Sequence, residues 1–89
     1  MGRKIRNPAI AAREMDDDVF LVSTDNEAVF HLNAVGAAIW KLLETPADEA
    51  DVAQTLIDAF PDIPADQVRQ DVQSLFRDLD HRGFLIDAD

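Results

Sequence analysis

Three features of this 89-residue chain predict an α+β domain, a small antiparallel sheet followed by three helices. Short runs of β-branched and aromatic residues are confined to the first third. From Asn33 onward apolar residues recur at three- and four-residue spacing, as on one face of a helix. Prolines at positions 46, 61 and 64 then divide that region into three helical segments.

Residues 1–8 read as a loose arm ending at Pro8. "AIAAREM" (Ala9 to Met15) supplies a short first strand, although its alanines are poor strand formers. "VFLVS" (Val19 to Ser23) is a stronger strand, entered from the acidic turn Asp16 to Asp18. After the turn "TDNE", "AVFHLN" forms the next strand at hairpin spacing, with Ala28, Phe30 and Leu32 on one face and Val29 and His31 on the other.

The first helix runs from about Asn33, placed as its N-cap, to Glu44 before Pro46. Val35, Ile39 and Leu43 form its stripe, widened by Trp40 and Leu42. Gly36 costs roughly 1 kcal/mol against alanine inside a helix, so it marks either close approach of another backbone or tolerance near a frayed end. The second helix opens near Asp48, turns Val52, Leu56, Ile57 and Phe60 inward, and stops at Pro61. The third starts around Pro64 and carries Val68, Val72, Leu75, Phe76 and Leu79 on one stripe. His81 and Arg82 suit its C-terminus, Gly83 suits a left-handed residue beyond it, and Phe84 can fold back on the last turn. "FLI" (Phe84 to Ile86) then reads as a short return strand. The whole order is winged-helix-like.

Composition narrows the function. The length fits one domain over residues 1–89, with a small core. There is no cysteine, which removes disulfides, thiolate metal sites and a cysteine nucleophile. The basic start has no seven-residue apolar core of a signal peptide and no run reaches membrane-spanning length, so the expected compartment is cytoplasmic, without a membrane partner. The net charge is −10, divided as +3 over residues 1–15 and −13 over the rest. So acidic a body repels phosphate backbones. The third helix offers Arg69 and Arg77 against Asp66, Asp71, Asp78 and Asp80, a poor composition for a groove-reading helix, so no nucleic-acid partner is expected.

Catalytic and metal signals are weak. His31 and His81 lie in different elements without metal-ligand spacing, and His81 already has a role at a helix end. The acidic runs lack the glycine and spaced oxygens of a calcium loop, and three ungrouped glycines make no phosphate cradle. No cofactor is implied. What remains is a sheet edge. "AVFHLN" contains no lysine, proline or glycine to blunt it, so the N-terminal segment or a second copy in a homodimer covers it, or it stays open for an extended peptide. On this reading Ala28, Val29, Phe30, His31 and Leu32 supply the docking strand. In the third helix Val68, Leu75 and Leu79 point inward, and Arg69, Val72, Gln73 and Phe76 form the neighbouring wall of a groove.

"FHLNAVGAAIWKLLE", "DEADVAQTLIDAF" and "VRQDVQSLFRDLDHRGFLI" together resemble the PqqD family of peptide-binding proteins, also described as RiPP recognition elements, over roughly residues 11 to 86. The most specific pieces are the Leu32-Asn33 step into a helix bearing Ile39-Trp40, and Asp71-Val72 followed by Leu79 and Gly83. The resemblance implies a winged-helix-like domain, a three-stranded antiparallel sheet followed by three helices, acting as a peptide chaperone with no catalytic activity of its own. It implies that the leader region of a ribosomally made precursor peptide adds as a strand beside Ala28 to Leu32 and lies against the third helix. The peptide is then presented to a modifying enzyme, a radical S-adenosylmethionine enzyme in the pyrroloquinoline quinone pathway. Lasso-peptide recognition proteins share the same pattern. The alternative from another class is a small winged-helix regulatory or dimerisation domain binding protein or DNA.

Overall fold

The computed structural model describes residues 2–16, 18–23 and 29–88. Three strands, β2 (Ile10–Met15), β3 (Asp18–Ser23) and β4 (Val29–Leu32), form an antiparallel sheet in the order β2-β3-β4. Met15 stands opposite Asp18, and Asp16 takes a left-handed φ of 58°, a conformation that aspartate tolerates in tight turns. Val19, Leu21 and Ser23 alternate inward along the central strand and are buried. The sheet is thus the expected one, including the alanine-rich β2, which tertiary pairing holds despite its low propensity. The predicted turn "TDNE" and Ala28 lie outside the described residues.

The helices follow as α1 (Ala34–Leu42), α2 (Glu49–Ala59) and α3 (Ala65–His81). Asn33 caps α1 by accepting from the Gly36 N–H at 2.9 Å, and Asp48 caps α2 by accepting from the Asp51 N–H at 2.8 Å. Gly36 is explained by packing: a Cβ there would lie 3.1 and 3.2 Å from the Leu32 side chain, so its absence lets α1 close on the last residue of β4. At the end of α3, Gly83 has φ +78°, its N–H reaches the Asp80 carbonyl at 3.1 Å, and the Phe84 N–H reaches the Leu79 carbonyl at 2.8 Å. This is the Schellman arrangement, and it folds Phe84 into the core.

Residues 2–8 are not the loose arm that the composition of residues 1–8 suggests. Lys4–Arg6 form β1, which pairs antiparallel with β5 (Leu85–Asp87), placing Ile5 opposite Ile86. Lys4 also exchanges backbone hydrogen bonds with Ala47 at 2.8 and 2.9 Å, and the Arg6 N–H reaches the Leu43 carbonyl at 3.1 Å. Charge is the second reason: Lys4 Nζ lies 3.0 Å from Asp80 and also pairs with Asp87, while the Arg6 guanidinium sits 5.7 Å from the centre of the Trp40 ring. The basic segment is laid on the acidic body. The return strand starts at Leu85, one residue later than expected, because Phe84 is used to close α3.

Buried side chains from β3, β4, all three helices and β5 make one core, of which Trp40, only 4 % exposed, is part. Trp40→Ala should therefore lower stability by about 3 to 5 kcal/mol, as for other buried large aromatics cut to alanine; a denaturant titration measures it. Lys4→Met should cost about 1 kcal/mol for two accessible ion pairs, or about 4–8 °C in thermal midpoint for a domain of this size. The hydrogen bonds to Asp87 and then Asp80 raise the Lys4 pKa above its ordinary value. Its contribution is therefore complete below the ordinary lysine range and lost as pH rises through the raised folded-state value. The gap between parent and variant should be constant across neutral pH and close only in strong alkali.

Candidate functional site

Among the described residues no strand pairs with the outer edge of β4. The register tells which of its backbone groups are free. A two-residue loop closes on a pair that exchanges both hydrogen bonds, so Asp18 turns its N–H and C=O toward β2. Alternation then turns those of Val19 and Leu21 toward β4, where they meet Leu32 and Phe30. Val29 and His31 are left with N–H and C=O directed outward. Neither side chain shields them: both residues are exposed, Val29 by 60 %. His31 packs across the strand pair on the outer face, its ring 5.0 Å from that of Phe20 and its Nε2 3.4 Å from Asp18.

Beside this edge lies a cleft of about 280 Å³. β4 forms one wall; Asn33, Val35, Gly36 and Ile39 of the β4–α1 junction form the floor; Asp71, Ser74, Leu75 and Asp78 of α3 form the far wall. Its apolar patches are Phe30, Val35, Ile39 and Leu75, and its far rim is acidic. Phe30 ties the two walls together. Its ring meets that of Phe84 edge-on at 6.2 Å, and the Arg82 guanidinium lies 4.7 Å from its centre.

The structure thus brings Val29, Phe30, His31 and Leu32 to the edge and cleft, while Ala28 lies outside the described residues. It does not bring the expected α3 residues there. Val72 and Phe76 are core residues, 1 % and 4 % exposed, whereas Leu75 is only partly buried and faces the cleft. Arg69 and Gln73 lie on the opposite flank, where with Val72 they line a groove of about 380 Å³ against α2. Arg69 is there paired with Asp66 at 3.1 Å. The buried face holds Val68, Val72, Phe76 and Leu79 rather than Val68, Leu75 and Leu79, which turns its centre by roughly 35° at 100° per residue. Sequence reasoning missed Asp71, Ser74, Leu75 and Asp78. The available signal was that Asp71 and Asp78 flank Leu75 at four- and three-residue spacing, on one side of the stripe. Among the described residues no group of three or more His, Asp or Glu is placed to hold a metal ion, and no helix is long and apolar enough to cross a membrane.

Known proteins share the family and the fold. Residues 18–85 match the family described as coenzyme PQQ synthesis protein D (PqqD). No curated protein matches significantly. Two solved structures share the fold. One is of TbiB1 in complex with the TbiA(beta) leader peptide, 25% identical, with a TM-score of 0.77 over 91% of this chain and 93% of that one. The other is of a lasso peptide synthetase B1 complexed with the leader peptide, 22% identical, with a TM-score of 0.76 over 93% and 96%.

The edge assignment has a direct test in amide hydrogen exchange followed by NMR. The Val29 and His31 amides should exchange fast, and the Phe30 and Leu32 amides, bonded to β3, should be protected. The reverse pattern would place the other pair of residues at the edge.

Proposed function

We propose that this chain, which belongs to the PqqD family, captures the leader region of a ribosomally made precursor peptide as an added strand on β4 and presents it to a modifying enzyme. The observation that carries this reading is the unpaired edge at Val29 and His31 opening onto a cleft whose far wall is α3. Strand addition draws affinity from main-chain groups and selectivity from side-chain pockets, and both are present. The likeness to two structures solved with leader peptides supports it further. The domain acts by binding and performs no chemistry of its own. The enzyme it serves carries out the modification, a radical S-adenosylmethionine enzyme being the partner that the family suggests.

The energetics suit a carrier. Two outward residues offer about four main-chain hydrogen bonds at roughly 0.5 to 1.5 kcal/mol each. One or two apolar anchors on Leu75, Ile39 and Val35 add about 1.5 to 3 kcal/mol apiece. Ordering a disordered segment takes back about 2 to 5 kcal/mol. The balance runs from about 4 kcal/mol at mid-range to about 8 toward the favourable end, millimolar to micromolar affinity, which permits release to an enzyme. A second copy on the same edge is opposed by the net charge of −10 that each copy carries.

Proline substitution tests the geometry, because proline removes one N–H and is tolerated in strands only where that N–H faces away from the ladder. His31→Pro should leave the domain folded and lower the affinity for a synthetic leader peptide at least tenfold. Phe30→Pro, which breaks a bond to β3, should damage the hairpin itself. In a titration of the parent protein followed by NMR, the Val29 and His31 amides should shift together with Leu75. Undiminished binding by folded His31→Pro, with shifts elsewhere, would exclude strand addition on β4.

A further inference from the structure

We infer that Asp71 and Asp78 select a leader segment carrying a lysine or arginine two residues from an apolar anchor; this rests on the strand-addition reading above. Both carboxylates lie on the α3 wall of the cleft, on either side of Leu75. Along the helix axis Leu75 is about 6 Å from Asp71 and about 4.5 Å from Asp78 at 1.5 Å per residue. Residues on one face of a strand repeat about every 6.6 to 6.8 Å. A docked strand that runs along α3 with an apolar side chain over Leu75 therefore sets its next same-face side chain beside one of the two acids, within the reach of a long basic residue.

Among the described residues neither acid is neutralised by a cation. Asp71 accepts one hydrogen bond from Gln67 Nε2, at 3.1 Å. Among the described residues no lysine, arginine or histidine forms an ion pair with either carboxylate. Two side chains near the cleft carry or can carry positive charge, and both have other partners. His31 pairs with Asp18, and Arg82, one turn beyond Asp78, lies over the Phe30 ring. Arg82 weakens the negative field at the Asp78 end, so Asp71 carries the larger share. The surrounding body adds the same sign, with a net −13 outside the first fifteen residues, which attracts a cationic segment and repels an acidic one. Main-chain pairing cannot discriminate among sequences, and this pair of acids supplies a preference that the apolar floor lacks.

The test selects phage-displayed random 12-residue peptides on the parent protein and on Asp71→Lys/Asp78→Lys, with Asp71→Asn/Asp78→Asn as a milder variant. Both acids are at the surface of a helix, and circular dichroism with a thermal melt checks the fold. Parent-selected peptides should be enriched in Lys or Arg two positions from an apolar residue, and peptides selected on the lysine variant in Asp or Glu there. For one selected peptide, Lys→Gln should weaken binding to the parent roughly three- to tenfold and have little effect on binding to the asparagine variant, and the difference should shrink as salt is raised. Selected peptides that shift the Val29 and His31 amides without any charge preference would overturn this inference and leave strand addition standing. Peptides that bind away from β4, or a failure to select any, would overturn both.

Discussion

Everything at the site depends on how closely α1 can approach β4. The Leu32 side chain is buried against Gly36, where a Cβ would lie 3.1 Å from its Cδ2, and Asn33 between them caps the helix by accepting from the same Gly36 N–H. One residue thus ends the strand, the next starts the helix, and the missing Cβ sets the angle between them. Because α1 turns under the sheet at this point, it supplies the floor of the cleft without covering the strand edge. A Cβ at position 36 would require Leu32 or α1 to give way by a few tenths of an ångström.

The far wall is set by a different device. α3 is fixed at its C-terminus by Gly83 and Phe84, and Phe84 touches Phe30 across the core, so the edge strand and the wall facing it share an aromatic contact. The two chain ends strengthen this corner. β1 and β5 pair there, the Asn7 N–H reaches the Phe84 carbonyl at 2.8 Å, and the Asn7 side chain reaches the Gly83 carbonyl at 2.9 Å. In a domain whose single small core gives a narrow stability margin, tying the last turn of α3 to the N-terminal strand keeps the cleft at a fixed width.

What the sequence made legible follows from the range of the forces involved. The β3 and β4 strands, the Asn33 cap, the opening of α2 near Asp48 and the Gly83 termination were readable because each is decided by residues within a few positions of one another. The strand β1 was not, because three residues form a strand only through a partner some eighty positions away, and "GRKIR" carries no local pattern for it. The charge division held the clue: a +3 segment on a −13 body is drawn onto it as readily as toward any outside partner. The α3 wall was misread for another reason. Val72 and Phe76 lie beside Val68, Leu75 and Leu79 on an apolar stripe wide enough to be centred in two ways, and only packing against α2 and β5 decides between them. Of the edge strand, the faces of Val29 to Leu32 were readable from alternation, but which amides point outward required the β2–β3 register.

An exposed strand edge carries a hazard as well as a use, since the same groups that accept a peptide accept another copy of the chain. Three features of this protein limit the hazard without closing the edge. β4 is only four residues long, so self-pairing through it has few bonds to gain. Its outer face is interrupted by His31 in contact with Asp18, which places polar groups along the flank that an incoming sheet would have to cover. The acidic body makes every encounter between copies a meeting of like charges, whereas a peptide segment carrying a basic residue meets no such repulsion and can thread the cleft one side chain at a time. Shortness, polarity and charge together turn a generally adhesive surface into one better suited to a peptide than to a sheet.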